Sequence, residues 1–320
     1  MDNGYFAKPN TGKIIRRSQI VMRNRYGVLI IVILISLLST STIFGQADSP
    51  SLLQMHIESI VGDNVENYMQ PFATALGTAV NTGLYHTAKI HGLPGFDFGI
   101  RAMFIPIPGD AEKYFAKLSP KDSVEVSTVF GSGEAQSGFP PGLSISVVPF
   151  AVFHFSVGLP MGTELNLRYL PSFESEKDFP KIELLGFGVS HSIDQYFPLP
   201  IPLLPQLSAG FMYQTFKVED LIKSTHTAFS LRLSKSVPLL TVYVGAQFES
   251  SKMDLTFQAE GIGDPIIEEL EGENDIRFTG GFRFTIFPLL GINADYSVGK
   301  YNAVNIGLNF SFDPPGIPVI

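Results

Sequence analysis

The chain has no cysteine and no tryptophan, and only 16% of its residues are charged. Without cysteine there is no disulfide, no thiolate metal site and no cysteine nucleophile. That absence suits an exported chain, which must stay unfolded while it crosses an oxidising compartment. Long apolar runs are also scarce. The stretch Val28–Leu38 falls short of the roughly 20 residues a comfortable membrane anchor needs, and no later stretch is longer. A spanning helix is therefore not the expected architecture. Basic charge is sparse once the first 45 residues are set aside. They hold six of the 22 Lys and Arg and one of the 30 acids, leaving 16 against 29, a net charge of -13. Phosphate binding needs a basic face, so a nucleic-acid partner is not expected.

Apolar residues make up 45% of the chain. That is too many for a disordered protein, and the 30 Gly and 23 Pro follow no collagen period. Arg23 and Arg25 precede Val28–Leu38; Ser39 to Thr42 and Ile43-Phe44-Gly45 follow. This is the pattern of a secretory signal peptide, with cleavage expected after Gly45. An uncleaved anchor is the competing reading. No cysteine follows the cut, which excludes lipoprotein processing. Met22 stands where such a signal would begin, so residues 1–21 are either an extended basic region or lie upstream of the true start.

The most informative pattern is at the other end. From Val304 to Phe312 the even positions are Val304, Ile306, Leu308, Phe310 and Phe312, with Asn305, Gly307, Asn309 and Ser311 between them. Successive strand side chains point to opposite faces, so one face is apolar and the other polar. Leu290 to Val298, Asp275 to Phe287, Leu240 to Phe248, Thr225 to Ser236, Gln206 to Lys217 and Leu185 to Ile193 repeat the scheme. Phe96 to Ile107 and Ser144 to Val148 are further strands. Phe153 to Tyr169 keeps its apolar residues odd through Gly158-Leu159-Pro160-Met161-Gly162. Unbroken parity favours one long strand there, with a hairpin as the alternative. At Ser250-Ser251 the apolar phase slips by one and Met253, Leu255 and Phe257 take over, which implies a bulge or a tight turn.

Connections alternate between compact Pro-containing ones (148–150, 197–205, 237–239, 287–289) and charged ones (172–178, 218–223, 261–274). In outer-membrane barrels short turns face the periplasm and long loops face outside. Before the strands, Leu52 to Leu76 carries apolar residues at helical spacing. The expected fold is an all-β transmembrane antiparallel outer-membrane barrel of 10–14 strands, 12 by best count, with a short N-terminal helical plug or cap. Residues 78–91 and 123–130 would supply the extra strands, and Asp110 to Leu118 a short helix. The expected divisions are 1–45 for extension and signal, 46–78 for the plug, 79–312 for the barrel and 313–320 for a tail.

Tyr85-His86-Thr87-Ala88-Lys89 with Gly95-Phe96-Asp97-Phe98, Gly158 to Leu165 with Arg168-Tyr169-Leu170-Pro171, and Gly186 to Ser192 resemble an uncharacterised family of bacterial outer-membrane barrels, itself distantly similar to long-chain fatty-acid transporters. The resemblance covers most of residues 60–312. It implies a barrel in the outer membrane and, more weakly, transport. The chain departs from the usual barrel ending, because residues 313–320 follow the terminal aromatic Phe312.

Parity puts Arg168, Arg232, Arg277 and Arg283 on the lumen face with Glu164, Asp194 and Asp295. They form either a polar path with a clamp for a solute carboxylate, or ion pairs that brace a filled lumen. Gly158, Pro160 and Gly162 weaken strand pairing, which suggests a lateral exit for an apolar solute or an ordinary hairpin. His154 and Ser156 share a face, as an acyl hydrolase would need, but no third group is evident. His191 falls on the apolar side, which places it near a rim. His86 and His91 lie too far from other ligands to suggest a metal. The acids of residues 264–275 lack calcium-loop spacing and are expected in a solvated outer loop. The functional expectation is a passive channel for small hydrophobic solutes. A closed barrel with a structural, attachment or secretion-accessory role is the alternative, and a membrane-embedded lipid hydrolase a third. Expected partners are outer-membrane lipid, a small hydrophobic solute and the barrel-assembly machinery. No cofactor or metal is expected.

Overall fold

The computed structural model describes residues 64–118, 122–133, 139–171, 181–197, 205–257, 265–287 and 289–313. The signal peptide with its cut after Gly45, the first part of the expected plug, the charged loop 172–178, Asp264 and the tail after Asp313 lie outside the described residues.

Among the described residues one helix, α1 (Asn64–Val80), precedes thirteen strands: β1 (Phe96–Pro106), β2 (Lys113–Lys117), β3 (Ser123–Ser127), β4 (Val147–Leu159), β5 (Thr163–Leu170), β6 (Ile182–Ser192), β7 (Gln206–Val218), β8 (Ile222–Val237), β9 (Leu240–Phe257), β10 (Ile266–Glu271), β11 (Ile276–Phe287), β12 (Leu290–Val298) and β13 (Ala303–Phe312). All pairings are antiparallel. β1 pairs with both β4 and β13, and β9 pairs with both β8 and β11, so β1, β4–β9 and β11–β13 close into a ten-stranded barrel. Ten is the low end of the expected range. Residues 123–130 give β3, which pairs only with β2 in a separate hairpin. Residues 81–91 form no strand. The helix expected over Asp110 to Leu118 is instead a single 3-10 turn, Gly109–Ala111, followed by β2.

β10 and β11 lie along the same edge of β9, with Leu270 opposite Met253 and Ile276 opposite Phe248. They are one strand broken by a bulge at residues 272–275. That bulge shifts the register by one and turns the strand over. The acidic segment is therefore largely wall rather than loop: Glu271 pairs with Lys252 at 2.8 Å, and Glu273 with Lys300 at 3.1 Å.

Two sequence expectations are corrected here. Residues 151–172 are not one strand, because Leu159 pairs with Thr163 across a three-residue turn. An odd loop leaves facing residues with the same parity, so the apolar phase passes through the hairpin unchanged. The two-residue turn between Val237 and Leu240 flips it: β8 points even residues inward and β9 odd ones. The second correction concerns Ser250-Ser251. β9 runs straight through, with odd residues inward over its whole length. What changes is the surroundings. Outward Val242, Val244 and Phe248 are about half exposed, and Lys252 follows them on the same face; inward Met253, Leu255 and Phe257 are buried. Polar-in, apolar-out becomes apolar-in, polar-out, as it must where a strand leaves hydrocarbon for water.

The same inversion appears at the same end of neighbouring strands. Leu184, Phe216 and Ile222 are buried inward, while Glu183, Lys217 and Lys223 face out. The barrel thus has an apolar outer band, seen in Phe187, Phe211, Phe229 and Phe278, and beyond it a collar with its own hydrophobic core. A band of exposed aromatics and aliphatics on this scale is stable only when covered.

Candidate functional site

The lumen is occupied by the chain itself. The buried face of α1 joins the collar core: Tyr68, Met69 and Leu76 pack in one cluster with Met103, Phe150, Leu255 and Tyr301. The Tyr68 hydroxyl donates to the Pro141 carbonyl at 3.0 Å, and burial pushes its phenol up, which keeps it a neutral donor. The opposite stripe, Gln70, Thr74, Thr78 and Thr82, docks on the bulge. Gln70 donates to the Glu271 carbonyl at 2.7 Å, the Glu273 amide donates to Thr74 at 3.3 Å, and Asn274 donates to Thr78 at 3.2 Å.

A helix leaves its last four carbonyls without intrahelical partners, and no basic residue lies in the last turn of α1. Its own following residues supply two donors: the Asn81 amide reaches Gly77 O at 3.1 Å and the Thr82 amide reaches Ala79 O at 3.2 Å. The barrel wall supplies the other two. Arg277 donates to Thr78 O at 3.2 Å. Arg168 donates to Val80 O and, through its second amino group, to Thr82 O at 3.1 Å; Gln214 also donates to Val80 O, at 3.1 Å. Positive charge here also suits the helix dipole. Arg168 and Arg277 are fully buried. Arg277 is paired with Glu249 at 2.6 Å, whereas Arg168 touches only carbonyls and the Gln214 side chain at 3.0 Å.

Residues 81–95 then run down the lumen. Tyr85 packs edge-on against Tyr243 and lies under the guanidinium of Arg232 at 4.7 Å. Gly245 faces it, where any side chain would strike the Tyr85 ring. His86 accepts from Arg101 at 2.7 Å, His91 meets Glu164 at 2.6 Å, and Lys89 pairs with Asp313. At Gly158 a side chain would collide with the backbone of His91 and Gly92. Among the described residues, two small cavities lie between plug and wall, of about 10 and 20 Å³. Each has room for about one water molecule.

The family described as "Family of unknown function (DUF6588)" matches residues 22–312. The chain belongs to that family. No curated protein matches it. Among solved structures it is similar to the KdgM porin (10% identity, 68% of this chain and 99% of that one, TM-score 0.30). It is also similar to the N-terminal β-barrel domain of Pseudomonas aeruginosa OprF (13%, 48% and 98%, TM-score 0.25) and to Omp33 of Acinetobacter baumannii (9%, 72% and 100%, TM-score 0.27). Scores this low add nothing to the fold read from the chain itself. No link to fatty-acid transporters appears among these likenesses.

In this DUF6588 chain the residues singled out from sequence separate into groups. Arg168 and Arg277 meet at the end of α1. Arg232 lies against Tyr85, with Ser230 at 3.0 Å and Ser190 at 3.2 Å. Asp295 accepts from Tyr243 and Asn305, both at 2.7 Å, rather than from an arginine. Arg283 faces the lumen and donates to Ser311 at 2.7 Å. Asp194, expected on the lumen face, instead sits in the 3-10 turn after β6, where Ser192 donates to it at 2.7 Å. Pro160 and Gly162 stand apart from all of these in the β4–β5 turn, so they do not interrupt the wall. His191 is at that same rim, bonded to Thr163 at 2.9 Å and Tyr196 at 2.8 Å. Arg101, Gln214, Gln247 and Glu249 were missed. Their inward parity was readable, but nothing in the sequence showed what they would hold.

Proposed function

We propose that the protein is an outer-membrane barrel shut at rest by its own N-terminal segment, and that its working surface is the collar and loops beyond the apolar band. The outward rows of Phe, Leu and Val fit lipid on one side of a closed, fully hydrogen-bonded wall. The observation that carries the closed reading is the lumen between Thr78 and His91, where plug and wall leave cavities of about 10 and 20 Å³. A structural or attachment role fits this better than a standing channel. The apolar half of the interior is filled by α1, which among the described residues leaves no open apolar route for a hydrophobic solute, and Pro160 lies in the β4–β5 turn rather than within a wall strand. The full-length protein in planar bilayers should show no standing conductance. A stable open level in every insertion would overturn this reading.

A further inference from the structure

The lumen wall is poorly suited to a permanent plug. A filled interior is most stable when lined with apolar residues, and replacing buried charge with well-packed hydrophobes is often neutral or stabilising. Here the collar half follows that rule and the lower half does not. Five inward arginines (101, 168, 232, 277 and 283) face four inward acids (97, 164, 249 and 295). Three of the arginines, Arg168, Arg232 and Arg283, have no carboxylate within hydrogen-bond reach among the described residues, and the first two of them meet the plug. Arg168 spends its two amino groups on the carbonyls of Val80 and Thr82, and Arg232 rests on the Tyr85 ring and two serines. Both sets of plug partners are neutral. The fork of Arg168 across two oxygens has the form a guanidinium uses for a carboxylate.

We infer that the plug is a detachable internal ligand, and that the wall beneath it carries two cationic stations along the lumen, Arg168 with Gln214 and Arg232 with Ser190 and Ser230, which take carboxylates or chloride when the plug leaves. The Val80 and Thr82 carbonyls occupy the positions of the anion's oxygens in the closed state. The α1 face that docks on the bulge is polar, through Gln70, Thr74 and Thr78, and can be rehydrated; the opposite face, with Tyr68, Met69 and Leu76, lies in the collar core, so its release is the costly part of detachment. This goes beyond the closed-state reading and does not depend on what the collar binds.

The chain contains no cysteine, which allows a clean tether. A side chain at Gly77 would meet the Cβ of Ser251, and Thr87 Oγ1 lies 3.2 Å from Ser234 Oγ. Gly77→Cys with Ser251→Cys, and separately Thr87→Cys with Ser234→Cys, would lock the two ends of the plug. The full-length protein would be placed in a planar bilayer across a potassium chloride gradient, and urea raised within the range where the barrel stays folded. The expected result is open events in the wild type whose reversal potential follows chloride. Those events should vanish in either oxidised pair and return on reduction. The chloride preference should be lost in Arg168→Gln/Arg232→Gln. Absence of events in the wild type, events indifferent to oxidation of both tethers, or a potassium preference would each overturn the proposal.

Discussion

The Nε2 of His154 lies 3.1 Å from the Oγ of Ser156, and the serine is the acceptor. Ser156 directs its own hydrogen to Asn166 Oδ1 at 2.8 Å, and Asn166 passes the chain on to Ser190 at 2.9 Å. His154 therefore carries its proton on Nε2, which leaves Nδ1 bare and without a partner. A general base needs the reverse arrangement, with a third group holding Nδ1–H. The purified protein is expected to release no fatty acid from phospholipid vesicles, and His154→Ala should behave identically. Release that disappears in both His154→Ala and Ser156→Ala would restore the hydrolase reading.

Arg168→Met removes the fork from the helix end. Thr82 O is left with no wall donor and Val80 O with Gln214 alone. A buried acceptor left unmade costs about 1–3 kcal/mol. The loss should be local: hydrogen exchange at residues 78–84 should speed up while β5 and β7 stay protected. Unchanged exchange in that segment would show that the cap is not what holds α1 in place. Arg277→Ala should cost more, about 3–5 kcal/mol, because it leaves the buried Glu249 carboxylate unpaired.

Met161 sits in the β4–β5 turn with φ 62°, a left-handed conformation. Glycine adopts it without penalty, whereas an L side chain pays about 1–2 kcal/mol. Met161→Gly should therefore stabilise the barrel by about 0.5–1 kcal/mol, after the extra freedom glycine gives the unfolded chain. Pro160→Ala, outside the wall, should leave both fold and permeability nearly unchanged. A leak specific to Pro160→Ala would return that residue to a solute path.

The inversion along β9 predicts opposite preferences at neighbouring positions. Val244→Lys should cost about 2–4 kcal/mol, the range for a lysine on the lipid face near mid-depth. Lys252→Leu, on the same face beyond the band, should be nearly neutral. Met253→Lys should cost about 3–5 kcal/mol as an unpaired buried charge. Urea unfolding in lipid vesicles would measure all three, and a neutral Val244→Lys would place that row in water.

The barrel was legible because strand alternation is a property of backbone geometry, and rows such as Ile306-Leu308-Phe310 keep it without exception. Two features were misread because parity has more than one cause. The hairpin at 160–162 preserves it through an odd loop, and the change after Ser250 came from the medium rather than the register. The plug segment 81–95 was illegible for a different reason. Its Asn81 and Thr82 carbonyls and Ala88 amide are satisfied by Gln247, Arg168 and Ser234 from distant strands, so it shows no local period. Parity marks Arg168 and Arg277 as inward, but the helix-end carbonyls they bond are marked by no sequence pattern.

The most direct measurement is a single-cysteine scan of residues 242–256 on β9 in intact outer membranes, using a water-soluble thiol reagent and a lipid-phase quencher of an attached fluorophore. Val242, Val244 and Phe248 should be shielded from the reagent and quenched by lipid. Lys252 and Asp254 should react freely, and Tyr243, Gln247 and Met253 should be silent to both. Reactive odd positions between 243 and 249 would mean an open aqueous lumen, and freely reactive even positions between 242 and 248 would mean that this face never meets lipid.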